Sequence, residues 1–226
     1  MPMANRIHLA PGETYHLYNR GTEKRTIFTS KSDYERFLAL LYLSNVAKPV
    51  HISNHQGSTL MDLLAIPHDR EPLVDILAYC LMPNHFHLLV REGGEGNISR
   101  FMQKLLTGYT MYFNTRRERS GALMQGTFKA SHADTERYFK YLFSYIHLNP
   151  IKLIEPAWQE AGIHDHKKAA AYLAQYRYSS YSDYTVGERP ESVILNKKAA
   201  LDYFDKPTDF KTQVADWLEY RSEVRP

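Results

Sequence analysis

Sulfur chemistry is nearly absent from this chain. Its single cysteine, Cys80, excludes an internal disulfide and leaves no thiolate pair to hold a metal. Cys80 itself stands in an apolar run and is expected as a small core side chain. Long hydrophobic runs are missing as well: no stretch approaches the about 18 apolar residues that a membrane-spanning helix needs. The opening MPMANRIHLAPGE lacks a basic-then-apolar leader pattern, so a cytoplasmic location without a membrane partner is expected. There is no internal repeat, low-complexity tract or convincing linker. Excess charge is also modest, with a net +3 and a pI near 8.8, which admits nucleic acid as a partner without demanding it.

What is present begins with 43% hydrophobic residues in a chain of 226, enough to bury a substantial core. The basic residues are unevenly spread. Lys104, Arg116, Arg117, Arg119, Lys129, Arg137, Lys140 and Lys152 fall in a section with few acids, a candidate face for a phosphate backbone. The competing reading makes them ordinary solvated helix faces. Tyrosine is abundant, at 17 residues, and exposed rings of this kind stack on unpaired bases.

Local patterning gives strands interleaved with helices. Tyr15 to Asn19 alternates and breaks at Gly21, as a strand entering a turn does. Ser32 and Asp33 are candidate caps for a helix carrying Phe37, Leu40, Leu41 and Leu43, which ends before Pro49. Residues 46–71 are polar and uneven and are read as a loop or insertion, with His51, His55 and His68 as surface residues. Two strands, Leu73 to Leu81 and His85 to Arg91, flank a turn at Met82, Pro83 and Asn84. Ile98, Phe101, Met102, Leu105, Leu106, Tyr109, Tyr112 and Phe113 then mark one face of a long helix, with Arg116, Arg117 and Arg119 at its C-terminal end. Asp134 is a candidate cap for a helix running to Asn149 and stopped by Pro150. A further helix is expected around Phe210 to Val224. The fold class is α+β, an antiparallel sheet backed by helices on one face.

Two short segments carry the chemistry. In His85-Phe86-His87 the histidines stand two apart on a strand, so both rings leave the same face and can converge on one ion, while Phe86 enters the other. In the helix ending YLFSYIHLNP, Tyr145 and Asn149 are four apart and share a face. The Asn149 carboxamide oxygen would complete a set with the two imidazoles and leave positions open for a phosphate oxygen and water. Tyr141 competes as nucleophile but lies a turn further from that ligand. The bland alternatives are hydrogen-bonded structural histidines, a core tyrosine and an asparagine terminating a helix before proline.

The segments YHLYNRG, LMPNHFHLLV, GTFKA and YIHLNPIKL, in this order, resemble the single-tyrosine His-hydrophobic-His transposases, above all the REP-associated tyrosine transposases. The resemblance extends from about Tyr15 through the Tyr181 region. It implies a ferredoxin-like sandwich, a divalent ion (Mg2+ or Mn2+) on His85, His87 and Asn149, and Tyr145 as the nucleophile. The implied activity is nicking and rejoining of single-stranded or hairpin DNA through a 5′-phosphotyrosine. A catalytic domain over 1–160, including the insertion 46–71, is then followed by an extension over 161–226 packed on or near the DNA-binding face. Arg20, Lys104, Arg116, Arg117, Lys129, Arg137, Lys140, Lys152, Tyr178 and Tyr181 are the expected DNA contacts. His16, on the strand expected beside the histidine pair, is read as structural. Thr127 stands where an arginine is expected in the GRFKA-like segment, which weakens a DNA contact without touching the chemistry. Monomers and homodimers that exchange the tyrosine helix both fit. Two rivals stay open: a non-catalytic hairpin-binding protein or repressor, and a phosphodiesterase in which water attacks.

Overall fold

The computed structural model describes residues 8–48, 57–67 and 71–204; His51, His55, His68 and the helix expected around 210–224 lie outside the described residues. Four strands, β1 (Thr14–Arg20), β2 (Val74–Met82), β3 (His85–Glu92) and β4 (Lys129–His132), form one sheet in the order β2-β3-β1-β4. All three pairings are antiparallel. With α1 (Lys31–Leu43) between β1 and β2, and α3 (Asn97–Arg116) between β3 and β4, this is the β-α-β-β-α-β arrangement of ferredoxin-like sandwiches. The strand β4 had no sequence signature, because KASH is only four residues long and has no apolar alternation.

Alternation assigns the two faces of the sheet. Tyr15, Leu17, Phe86, Leu88 and Val90 join α1 and α3 in one core, into which the expected α3 stripe of Ile98, Phe101, Met102, Leu105, Tyr109 and Phe113 is buried. The cap of α1 is Ser30, two residues before the Ser32 expected, and Asp33 at the third position of the helix accepts from the Ser30 backbone N–H at 3.1 Å. Within the insertion, α2 (Leu60–Leu64) forms where a loop was expected, because Thr59 and Asp62 cap it and Leu60, Leu63 and Leu64 reach the same core.

Helices also cover the second face, which the sequence reading left bare. Leu77, Ala78, Cys80, Met82 and Leu89 pack there against Phe139, Leu142, Phe143 and Ile146 of α4 (Glu136–Leu148). A bulge between Ile76 and Ala78 turns both Leu77 and Ala78 toward this face. Thr135, not Asp134, caps α4, accepting from the Tyr138 backbone N–H. At its other end the chain does not stop at Pro150 but tightens into a 3-10 turn, Asn149–Leu153.

Four short helices follow: α5 (Trp158–Ala161), α6 (His166–Gln175), α7 (Tyr181–Thr185) and α8 (Lys197–Leu201). Ala169, Leu173, Ala200 and Phe204 from this part complete the core over α4. Its backbone also pairs with the outer edge of β2, where Leu81 N donates to Tyr178 O at 2.9 Å and Ser180 N to Tyr79 O at 3.0 Å. Covering that edge removes a row of unpaired donors and acceptors. Arg189 pins the segment by donating to Asp183 Oδ2 and Tyr79 Oη, both at 2.8 Å. Among the described residues no helix is long and apolar enough to cross a membrane.

Candidate active site

The α4 face of the sheet carries a row of polar and aromatic side chains. In register, Arg20 opposes His85, Tyr18 opposes His87, and Lys129 opposes Tyr18 from β4, so all five share that face. Phe86 enters the opposite core against Phe37. The strand geometry thus delivers the two imidazoles side by side, their ring centroids 5.0 Å apart.

Each histidine is fixed through its Nδ1. His85 Nδ1 donates to Asn84 Oδ1 at 2.6 Å, which leaves its Nε2 with a free lone pair. His87 Nδ1 lies 2.8 Å from His16 Nε2. When His87 donates in that pair, its own Nε2 is likewise free to bind a cation. The contact with His16 fixes the orientation of the His87 ring. Tyr18 stacks on His16 at 5.0 Å and closes the wall. Asn84 and Tyr18 escaped sequence reasoning; the period-two alternation of β1, which sets His16 and Tyr18 on one face, was the usable signal.

The helix supplies the other half. The Tyr145 ring meets His87 edge-on at 5.6 Å and His16 at 6.1 Å, and stacks on Tyr141 at 6.1 Å. Asn149 is fully buried; its Nδ2 donates to Tyr145 O at 2.9 Å, while its Oδ1 has no hydrogen-bond partner among the described residues. An orphaned buried carbonyl oxygen costs free energy unless a ligand satisfies it. That oxygen and the two Nε2 lone pairs fit a divalent ion, although among the described residues no group of three His, Cys, Asp or Glu is placed to hold one.

Electrostatics keeps the imidazoles neutral. Burial pushes His85 down to about 4, helped by the Lys152 and Arg20 charges and partly offset by the neighbouring Asn149 side chain. His87 lies well below the usual histidine value through burial and then the His16, His85 and Lys152 charges, and burial alone brings His16 to about 4. Neutral imidazole is the form that ligates metals. The histidine of YIHLNP, His147, is held structurally: its Nδ1 donates to Phe143 O at 2.8 Å and its Nε2 meets Ser180 Oγ at 2.7 Å.

The expected DNA contacts separate into groups. Arg20, Lys129 and Lys152 border the site, and Arg137 is exposed on the first turn of α4. Lys104, Arg116 and Arg117 ride on α3, which packs on the opposite face of the sheet, so the basic section does not form one continuous surface. Two of these are occupied internally. Lys104 Nζ donates to the carbonyls of Val46 and Lys48, and Arg117 is bound to the fully buried Asp33 at 2.9 Å. Arg116 donates to Tyr112 Oη, and Lys140 pairs with Glu136 and lies over the Phe204 ring. Tyr181 is buried, which removes it as a stacking platform, and the Tyr178 ring is already stacked on Tyr34 at 3.8 Å.

Comparison with known proteins bears on the segment that carries this site. Residues 67–149, which hold His85, His87, Tyr145 and Asn149, match the family model described as Transposase IS200 like. No curated protein matches the chain. A solved structure of a REP-associated tyrosine transposase bound to a REP hairpin is similar at 13% identity and a TM-score of 0.49, covering 81% of this chain and 84% of that one.

Proposed function

We propose that the protein is a divalent-metal-dependent enzyme that nicks and rejoins single-stranded DNA beside a hairpin, with Tyr145 as nucleophile. One observation carries this reading: Tyr145, the His85–His87 pair and the unpartnered Asn149 oxygen converge within one protomer. No helix exchanged from a second copy is needed to assemble them.

His85, His87 and Asn149 would hold the ion, Mg2+ or Mn2+, the latter well suited to imidazole. When bound, the ion supplies Lewis acidity that neutralises a non-bridging phosphate oxygen. The residues of the chain do the rest. His16 and Asn84 hold the imidazoles in the ligating tautomer. The Tyr145 Oη attacks phosphorus, its proton passes to water, and the 3′-oxygen of the upstream nucleotide leaves as a hydroxyl. Because the tyrosyl phosphodiester conserves the energy of the broken bond, a second 3′-hydroxyl reverses the step without ATP. Attack in line requires a strand splayed from its duplex, which favours a single-stranded tail as the reacting segment. Arg20, Lys129, Arg137 and Lys152 are placed to contact its phosphates. The part of the chain up to residue 160 carries this chemistry, and the following part braces β2 and α4.

The test is a labelled stem-loop oligonucleotide with a single-stranded extension, incubated with Mg2+ or Mn2+. A denaturation-resistant protein–DNA adduct that is lost in Tyr145→Phe supports the enzyme. Binding without cleavage supports a hairpin-binding repressor, and cleavage by Tyr145→Phe at the wild-type rate supports hydrolysis by water.

A further inference from the structure

The candidate ligand set carries no charge of its own. It consists of two imidazoles and a carboxamide, and no carboxylate joins the histidines among the described residues. Cations gather there instead. Arg20 stands in register with His85, and Lys152 follows Asn149 in the same 3-10 turn. Lys152 is half-buried, and burial pulls its ammonium below the usual lysine value. Among the described residues it makes no hydrogen bond or ion pair; Glu160 is its opposing charge, and it lies beyond bonding distance. Lys152 stands three residues after Asn149, one turn of that 3-10 helix, so the two share one side of it. A partly desolvated ammonium with no ion pair costs free energy, and it repels a dication held by its neighbours. What the site lacks is negative charge, and a DNA phosphate has it.

We propose that Lys152 and the divalent ion share one phosphate of the bound strand, so that ion and DNA bind cooperatively and each binds weakly without the other. Lys152 opposes the ion in the empty site and joins it through the phosphate once the strand is seated. The coupling is reciprocal, since whatever factor DNA adds to ion affinity the ion adds to DNA affinity. This rests on the nuclease reading above and assigns Lys152 a role distinct from general backbone contact.

The experiment measures Mn2+ affinity of the full chain by electron paramagnetic resonance of free Mn2+. It is run with and without a stem-loop DNA bearing a single-stranded extension, in a Tyr145→Phe background that prevents turnover. The parent should bind Mn2+ at least about tenfold tighter with DNA. Lys152→Gln, which keeps a polar side chain and removes the charge, should bind Mn2+ about three- to tenfold tighter than the parent without DNA. It should also lose most of the enhancement that DNA confers. Lys167→Gln, which removes an exposed lysine on α6, should change neither value. A purely structural role for Lys152 would not produce this opposition of sign. The proposal is overturned if Lys152→Gln leaves DNA-free Mn2+ affinity unchanged or weaker, or keeps the full enhancement, while His85→Ala abolishes Mn2+ binding. If His85→Ala binds Mn2+ as the parent does, the ion is not at the histidines, and both this proposal and the nuclease reading fall.

Discussion

His16 Nε2 and His87 Nδ1 meet at 2.8 Å as diagonal neighbours across the β1–β3 ladder, both rings buried. Two neutral imidazoles in this arrangement share one proton, and its position on His87 Nδ1 is what leaves His87 Nε2 able to ligate. Such supporting contacts typically govern metal affinity by about 10- to 100-fold. His16→Ala is accordingly expected to weaken Mn2+ binding by about tenfold or more, with His16→Gln retaining part of the affinity because its amide oxygen accepts the same proton. Calorimetric titration with Mn2+ checks this, and equal affinities for His16→Ala and wild type would remove His16 from the site.

Asn149→Ala separates ion binding from packing. It removes the donor to Tyr145 O and so should cost about 1 kcal/mol of stability. It also removes the orphaned oxygen, and Mn2+ affinity should fall at least as far as in His85→Ala. Paired urea unfolding and Mn2+ titration measure both; unaltered Mn2+ binding would return Asn149 to the role of a helix terminator.

Arg117 is expected to behave as a structural residue despite its place in the basic section. Its guanidinium neutralises Asp33, whose side chain is fully buried and also bonds Thr29 and Tyr112. Arg117→Met should lower stability by about 1–3 kcal/mol, since it strands a buried carboxylate. Hairpin affinity of the folded variant should stay at the wild-type level, whereas Lys129→Gln should weaken it and flatten its salt dependence. Fluorescence anisotropy over a salt series distinguishes the two; a weakened, salt-flattened Arg117→Met would place α3 on the DNA.

Acid should destabilise the fold through its buried histidines. His147 has no exposure, and burial pushes it down to about 3, while His16 and His85 stand at about 4. The unfolded chain takes up these protons near pH 6.5, and the folded chain does not until the pH is far lower. Stability is therefore complete above about 6.5 and falls as the pH drops toward about 4, by up to about 1.4 kcal/mol per pH unit for each histidine. Urea unfolding at pH 7.5, 6.5, 5.5 and 4.5 reads the slope, and a flat profile between 6.5 and 4.5 would contradict the buried neutral state.

The sequence made the placement of the candidate site's side chains more legible than the architecture around them. Period-two alternation placed His85, His87 and Phe86 on their correct faces, and the four-residue spacing joined Tyr145 to Asn149, because both signals are local. The second helical layer was hidden. It depends on a bulge at Leu77 and on contacts such as Phe143 with Phe204, far apart in sequence, which no periodicity reports. Basic residues were the least informative class: Lys104 and Arg117 read like phosphate contacts, yet each is satisfied by a distant partner within the chain.

The most direct test of the central claim is recovery of a covalent adduct after denaturation, using a 3′-labelled stem-loop DNA cut in the presence of Mn2+, with peptide mapping of the attachment point. The account predicts one DNA-linked peptide, attached through Tyr145, that disappears in Tyr145→Phe and in His85→Ala while hairpin binding by Tyr145→Phe persists. DNA cleaved without any tyrosine-linked product, or an adduct through Tyr141, would contradict it.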